Sequence, residues 1–140
     1  MVNNISIWVL ALIAFLVFDF VVVAYIFFKK LKKDVYDSKE LQYIKSHWIR
    51  IIDMFHGNPK AAVLDADKLL DYALGKKGFK GTLGEKLKKA GGRFSDINSV
   101  WSAHKLRNKV AHELEDINLV DAKAALASFK KALNDLGAKL

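Results

Sequence analysis

The sequence contains no cysteine, which excludes a disulfide framework and any thiolate metal site. It has a single proline, Pro59, and so gives little reason to expect long disordered linkers. Its first 28 residues carry one charged side chain, Asp19. No strand-like alternation of useful length occurs, which points away from β architectures. A Gly/Lys loop at residues 76–81 lacks the Gly-x4-Gly-Lys-Ser/Thr spacing of a phosphate-binding P-loop. A metal site is not expected either. His104 and His112 are eight residues apart, about 12 Å along a helix, and the nearby carboxylates lack ligand spacing. No cofactor is implied.

What is present is uneven. The 140 residues suit one modest domain with an appendage. Residues 29–140 hold all 23 Lys and Arg against 14 of the 15 acids, a net of +9. A basic region of this kind suits nucleic acid or an anionic membrane surface, or is simply a Lys-rich solvated face.

Ile5–Phe28 is 24 residues without Gly or Pro. As a helix it is about 36 Å long, enough for a hydrocarbon core of roughly 30 Å. Seventeen of its residues are Val, Ile, Leu or Phe. At roughly −0.3 to −0.6 kcal/mol each they outweigh the ~3 kcal/mol cost of one central Asp. A cleaved signal peptide is the rival, but the run is too long, lacks a preceding basic region and has no small-residue cleavage site. Lys29, Lys30, Lys32 and Lys33 follow at once, so the positive-inside rule puts the N-terminus outside and the rest in the cytoplasm, at the cell membrane. Trp8 and Tyr25 sit where interface anchors would. Asp19 inside the span is a functional hypothesis: it can pair with a second copy or with a partner's helix, or be tolerated by a very apolar segment. No Gly-x3-Gly motif marks a dimer face.

The remainder reads as helices. Ser38 is placed to cap the first, with Leu41, Ile44, Trp48, Ile51 or Ile52, and Phe55 on its apolar face. Asn58-Pro59 starts the second, with Val63, Ala66, Leu70, Ala73 and Leu74 inward and Gly75 as its stop. Thr82-Leu83-Gly84-Glu85 has capping-box form and opens a short helix closed by Gly91-Gly92. Ser95 or Asp96 caps the next, with Ile97, Val100 or Trp101, His104 and Ala111 inward. Asn118 opens the last, whose Leu119, Ala122, Leu126, Phe129, Leu133 and Leu136 form a heptad-like seam. Trp48 and Trp101 read as core. The expected fold is all-α: a transmembrane helix with a basic juxtamembrane segment over 1–33, then an antiparallel four- to five-helix bundle over 34–140. Its core is small, so a homodimer would help it.

One constellation looks like chemistry. Within Val100–Leu114, Arg107, Asn108 and His112 lie within two helical turns, with Asn108 and His112 on one face and His104 one turn earlier. A permanent cation, an amide and an imidazole suit work on a phosphodiester. Arg107-Asn108-Lys109-Val110-Ala111-His112 resembles the Arg-x4-6-His motif of the HEPN superfamily of small helical domains, over a stretch running from Pro59 to Leu136. Many members of that family are metal-independent ribonucleases and others are non-catalytic. In that family the residue after the Arg is often Asn; Arg50–His56 departs from the pattern, since Ile51 follows the Arg and the segment lies early in the domain.

The resemblance implies His112 as acid/base, Arg107 on phosphate oxygens and Asn108 orienting either. One histidine does not serve easily as both base and acid, so a second copy is implied, as in catalytic members whose motifs face across a dimer. Lys76, Lys77, Lys80, Lys86, Lys88, Lys89 and Arg93 form a basic stretch able to guide RNA. The competing reading is a non-catalytic module for a protein or RNA partner, with Arg107 paired to Glu113, Glu115 or Asp116.

Overall fold

Apolar side chains determine both parts of the chain, in opposite ways. The structure is a computed structural model. It describes residues 2–114 and 116–140, and their side chains except those of residues 2–5, 32 and 33. The fold is all-α, with six α-helices and no strand among the described residues. The chain divides into two units, Met1–Val35 and Tyr36–Leu140.

The first unit is a single helix, α1 (Val2–Lys33). Its segment Ser6–Leu31 has a mean hydropathy of 2.8 and buries nothing within the unit, so it is long and apolar enough to cross a membrane. Asp19 lies on this helix, exposed and without a hydrogen bond or ion pair to any described residue.

The second unit holds α2 (Ser38–Phe55), α3 (Pro59–Lys76), α4 (Leu83–Ala90), a 3₁₀ turn (Gly91–Arg93), α5 (Ile97–His112) and α6 (Leu119–Asp135). α3 is the central element and packs on α2, α4, α5 and α6. Two features make it central. Asn58 caps it by accepting from the Ala61 amide at 2.9 Å, with Pro59 at its first position. Apolar or small residues then cover most of its circumference: Ala62, Val63, Ala66, Leu69, Leu70, Ala73 and Leu74 are all buried. Ile44, Leu87, Phe129 and Leu133 close around it with no exposure.

Several local expectations shift by a few residues. Asp37, not Ser38, caps α2, in a reciprocal capping box with Glu40. Ile51 turns inward and Ile52 outward. α3 does not stop at Gly75. It continues to Lys76, and Gly78 takes the left-handed turn at φ 91°, letting the Phe79 amide reach the Leu74 carbonyl at 3.2 Å. Asp96 caps α5, while Ser95 donates from both its amide and its hydroxyl to Asp135 at 2.8 Å. Ala111 faces solvent and Val110 the interior. Leu119 is exposed, so the α6 seam begins at Ala122.

The Thr82–Glu85 capping box forms as expected, with the Glu85 amide 3.3 Å from Thr82 Oγ1 and the Thr82 amide 2.8 Å from a Glu85 carboxylate oxygen. The backbone hydrogen bond from Thr82 holds the Glu85 carboxyl below its ordinary range. Gly81 precedes it at φ +107°, and a Cβ there would collide with Glu85 Oε2. A Cβ on Gly84 meets the Trp101 ring at 3.7 Å and Thr82 Oγ1 at 4.0 Å, both ordinary van der Waals contacts. Gly81→Ala is therefore expected to destabilise the bundle by about 1–3 kcal/mol. Gly84→Ala should stabilise it by about 0.5 kcal/mol. Denaturant titration of the two variants checks the opposite signs.

Candidate functional site

Asp67 is an acid set in the buried face of α3, between Val63 and Leu70, and only 4% of it is exposed. A buried carboxylate needs partners, because desolvating it alone costs several kcal/mol. α5 supplies them. His104 Nδ1 lies 2.7 Å from Asp67 Oδ1. Arg107 Nε lies 3.3 Å from Asp67 Oδ2. That second contact is outside hydrogen-bonding geometry, so it is Coulombic, and the buried Nε proton lacks a directed acceptor.

Asn108 closes the ring. Its Oδ1 accepts from Arg107 Nη1 at 2.9 Å, and its Nδ2 lies 3.3 Å from His104 Nε2. The guanidinium can only donate, so it assigns Oδ1 to its own side and leaves Nδ2–H for His104. His104 Nε2 must then accept, and Nδ1–H donates to Asp67. Four side chains form one closed circuit, with the charge of Asp67 balanced by Arg107.

A cleft of about 420 Å³ opens on this circuit, lined also by Lys68, Asp71, Thr82, Leu83 and Gly84. Lys86, only 8% exposed, donates to Asp71 Oδ1 at 2.8 Å and to the Asp71 carbonyl at 3.2 Å. Asp67 and Asp71, four residues apart on one face of α3, thus key α5 and α4 to it.

The anticipated trio is divided. Arg107 and Asn108 share the cleft with His104. His112, the last residue of α5, does not line it and is exposed, without a hydrogen bond or ion pair to any described residue. Arg107 pairs with Asp67 rather than with Glu113 or Asp116; Glu115 lies outside the described residues. Near His112 the Lys60 ammonium donates to the Glu113 carbonyl, closing the C-terminal end of α5.

The basic stretch is also divided, because two of its lysines are internal. Lys77, 8% exposed, sits over the Tyr36 ring at 4.3 Å, and Lys86 is bound to Asp71, so neither offers its charge to a phosphate as expected. Lys76 pairs with Glu40 at 3.6 Å, Lys89 donates to the Lys80 carbonyl, and Arg93 lies over Phe79 at 5.5 Å. Lys80 and Lys88 are exposed. Tyr36 itself donates to the Ala73 carbonyl at 3.0 Å, and burial pushes its phenol well above its ordinary range.

Among the described residues no group of three or more His, Asp or Glu side chains is placed to hold a metal ion. The residue that sequence reasoning passed over is Asp67. Its signal was legible: an acid within the stripe Val63, Ala66, Leu70 implies a buried cationic or hydrogen-bonding partner. The chain has no match among protein-family models, curated proteins or solved structures.

Proposed function

We propose that this chain is a single-span protein of the cell membrane that holds a HEPN-like helical module on the cytoplasmic side, where the module binds RNA without cutting it. Lys29, Lys30, Lys32 and Lys33 directly after the span support that orientation by the positive-inside rule. Asp19 would pair the span with a second copy or with another helix, giving a homodimer or a complex. The net +9 of residues 29–140 favours an anionic partner.

The observation that carries the binding-only reading is the hold of Asp67 on the motif. A nuclease needs Arg107 on the scissile phosphate. Arg107 instead has Nε 3.3 Å from Asp67 and Nη1 2.9 Å from Asn108. Withdrawing it would leave a carboxylate that is 4% exposed without its counter-charge. His112 is not beside it.

One observation favours a second reading. The buried Asp67 orients His104 through Nδ1, the arrangement that prepares a histidine as general base. Cleavage would then run through His104. Its Nε2, released from Asn108, would take the ribose 2′-hydroxyl proton, the 2′-oxygen would attack phosphorus, and the 5′-oxygen would leave with a proton from water, giving a 2′,3′-cyclic phosphate and a 5′-hydroxyl.

The test uses the full-length chain in detergent micelles with mixed-sequence RNA in EDTA. RNA that binds and stays intact is the expected result. Cyclic-phosphate ends that vanish in His104→Gln would replace binding with catalysis at His104. Ends that vanish in His112→Ala but persist in His104→Gln would restore His112 as the acid/base.

A further inference from the structure

A second cleft lies between α2 and α3, and Lys68 lines both it and the Asp67 cleft. Its volume is about 220 Å³. Ile51 and Leu69, both buried, line it together with the half-buried Met54. An array of aromatic rings forms another part of the lining. Tyr43 and His47, one turn apart on α2, stack at 3.8 Å between centroids and 27° between planes. Tyr72 of α3 lies against Tyr43 at 4.3 Å and 35°.

The array is partly open to solvent. Tyr43 is 41% exposed. His47 Nδ1 donates to the Tyr43 carbonyl at 2.9 Å, which leaves Nε2 as the free nitrogen of the ring. Neither tyrosine hydroxyl has a hydrogen-bond partner among the described residues. Arg50, one turn beyond His47, also lines the cleft, is exposed, and makes no hydrogen bond or ion pair with any described residue. Asp65 lines it as well, paired with Lys68 at 3.5 Å.

These features select a ligand class. Tyr43 already stacks against both His47 and Tyr72, so a further flat ring would extend the stack on the outer face of His47 or Tyr72, and any nucleobase has a π-face to do so. A cage for a quaternary ammonium group would set its rings around a point, and Arg50 would repel the cation. A free guanidinium is suited to bidentate contact with phosphate. Asp65 can accept from an exocyclic amine. The volume is below the roughly 300–1,000 Å³ of sites for drug-sized ligands, so one base fits inside with its phosphate outside.

We infer that the cleft between α2 and α3 binds a nucleotide unit, with its base against the Tyr43–His47–Tyr72 array and its phosphate on Arg50. The unit is a free nucleotide or one residue of an RNA strand. The inference rests on the binding-module reading and names the ligand chemistry of that module.

The experiment is equilibrium dialysis with the full-length chain in phosphatidylcholine nanodiscs. The probes are adenosine 5′-monophosphate, adenosine, ribose 5-phosphate and a 5′-phosphorylated oligoadenylate. Adenosine 5′-monophosphate should bind at least about five-fold more tightly than adenosine or ribose 5-phosphate. Tyr43→Leu and Arg50→Gln should each weaken it by at least about five-fold, with unchanged circular dichroism. Lys130→Gln, an equal loss of charge on the exposed face of α6, should not. Binding of the oligonucleotide alone, lost in Tyr43→Leu, supports the inference with a strand as the source.

Ribose 5-phosphate binding as tightly as the nucleotide overturns the inference, and so does the absence of binding by every probe. That comparison uses only the wild type and stands whether or not a variant folds. Nucleotide binding unchanged in both cleft variants also overturns it, while the binding-only reading survives. RNA cut by the wild type sinks that reading and leaves the cleft assignment intact.

Discussion

Asp67→Ala is expected to lower the unfolding free energy of the bundle by about 3–5 kcal/mol. The size follows from what the substitution leaves behind. Arg107 Nε is already buried without a directed acceptor, and Asp67 is its counter-charge at 3.3 Å. His104, whose side chain is 13% exposed, loses the acceptor of its Nδ1–H. The variant therefore keeps an uncompensated charge and an unmet donor, each of which costs more than the net worth of the original contact. Urea melts of the full-length chain in micelles, followed by circular dichroism, measure the loss. A loss below about 1 kcal/mol would mean that water already solvates the circuit. Combining Asp67→Asn with Arg107→Gln removes both charges together. The pair should show a coupling of about 0.5–3 kcal/mol, so the double variant is more stable than the two single losses added.

The second large effect is expected at Phe129. It has no exposure, and α6 carries it into the interface with α3 and α5. Phe129→Ala should cost about 3–5 kcal/mol, through lost transfer free energy and an unfilled cavity. Val120 is on the same helix and 73% exposed, so Val120→Ala should stay within about 0.5 kcal/mol of the parent. If the two changes cost the same, the buried face of α6 is wrongly assigned. Phe129→Leu keeps most of the volume and should recover more than half of the loss.

Local signals were read well because they are local. Asn58-Pro59 and Thr82–Glu85 are satisfied by groups within three residues, so their meaning does not depend on distant packing. Errors of one to three residues arose where a neighbour competed. Asp37 outdoes Ser38 because its carboxylate accepts from the Glu40 amide while its own amide donates to the Glu40 carboxylate, so both bonds of the box form. Gly78 rather than Gly75 terminates α3, because the turn needs its positive φ where the chain leaves the helix.

The site was half legible. Periodicity alone puts His104 and Asn108 one above the other, and they do meet, at 3.3 Å. By the same rule His112 belongs with them. However, α5 ends there, and the cleft lies beside the middle of α3, at Asp67 and Asp71. The lysines mislead for a related reason. A flexible stem lets Lys77 and Lys86 reach internal partners on other segments, Tyr36 and Asp71, which composition counts as free charge.

The chain order of residues by itself determined an all-α protein with one apolar helix long enough to cross a membrane, and it determined which residues share each helical face. Hydrophobic period, caps and run length decide those matters within a few turns of chain. Only the tertiary structure decided that Asp67 meets His104 and Arg107, 37 and 40 residues away, that His112 is left outside, and that Tyr43, His47, Tyr72 and Arg50 line one cleft. The physical reason is that a helix pattern states which way a side chain points. The rotation of one helix against another, set by the fit of their surfaces, states what it finds there.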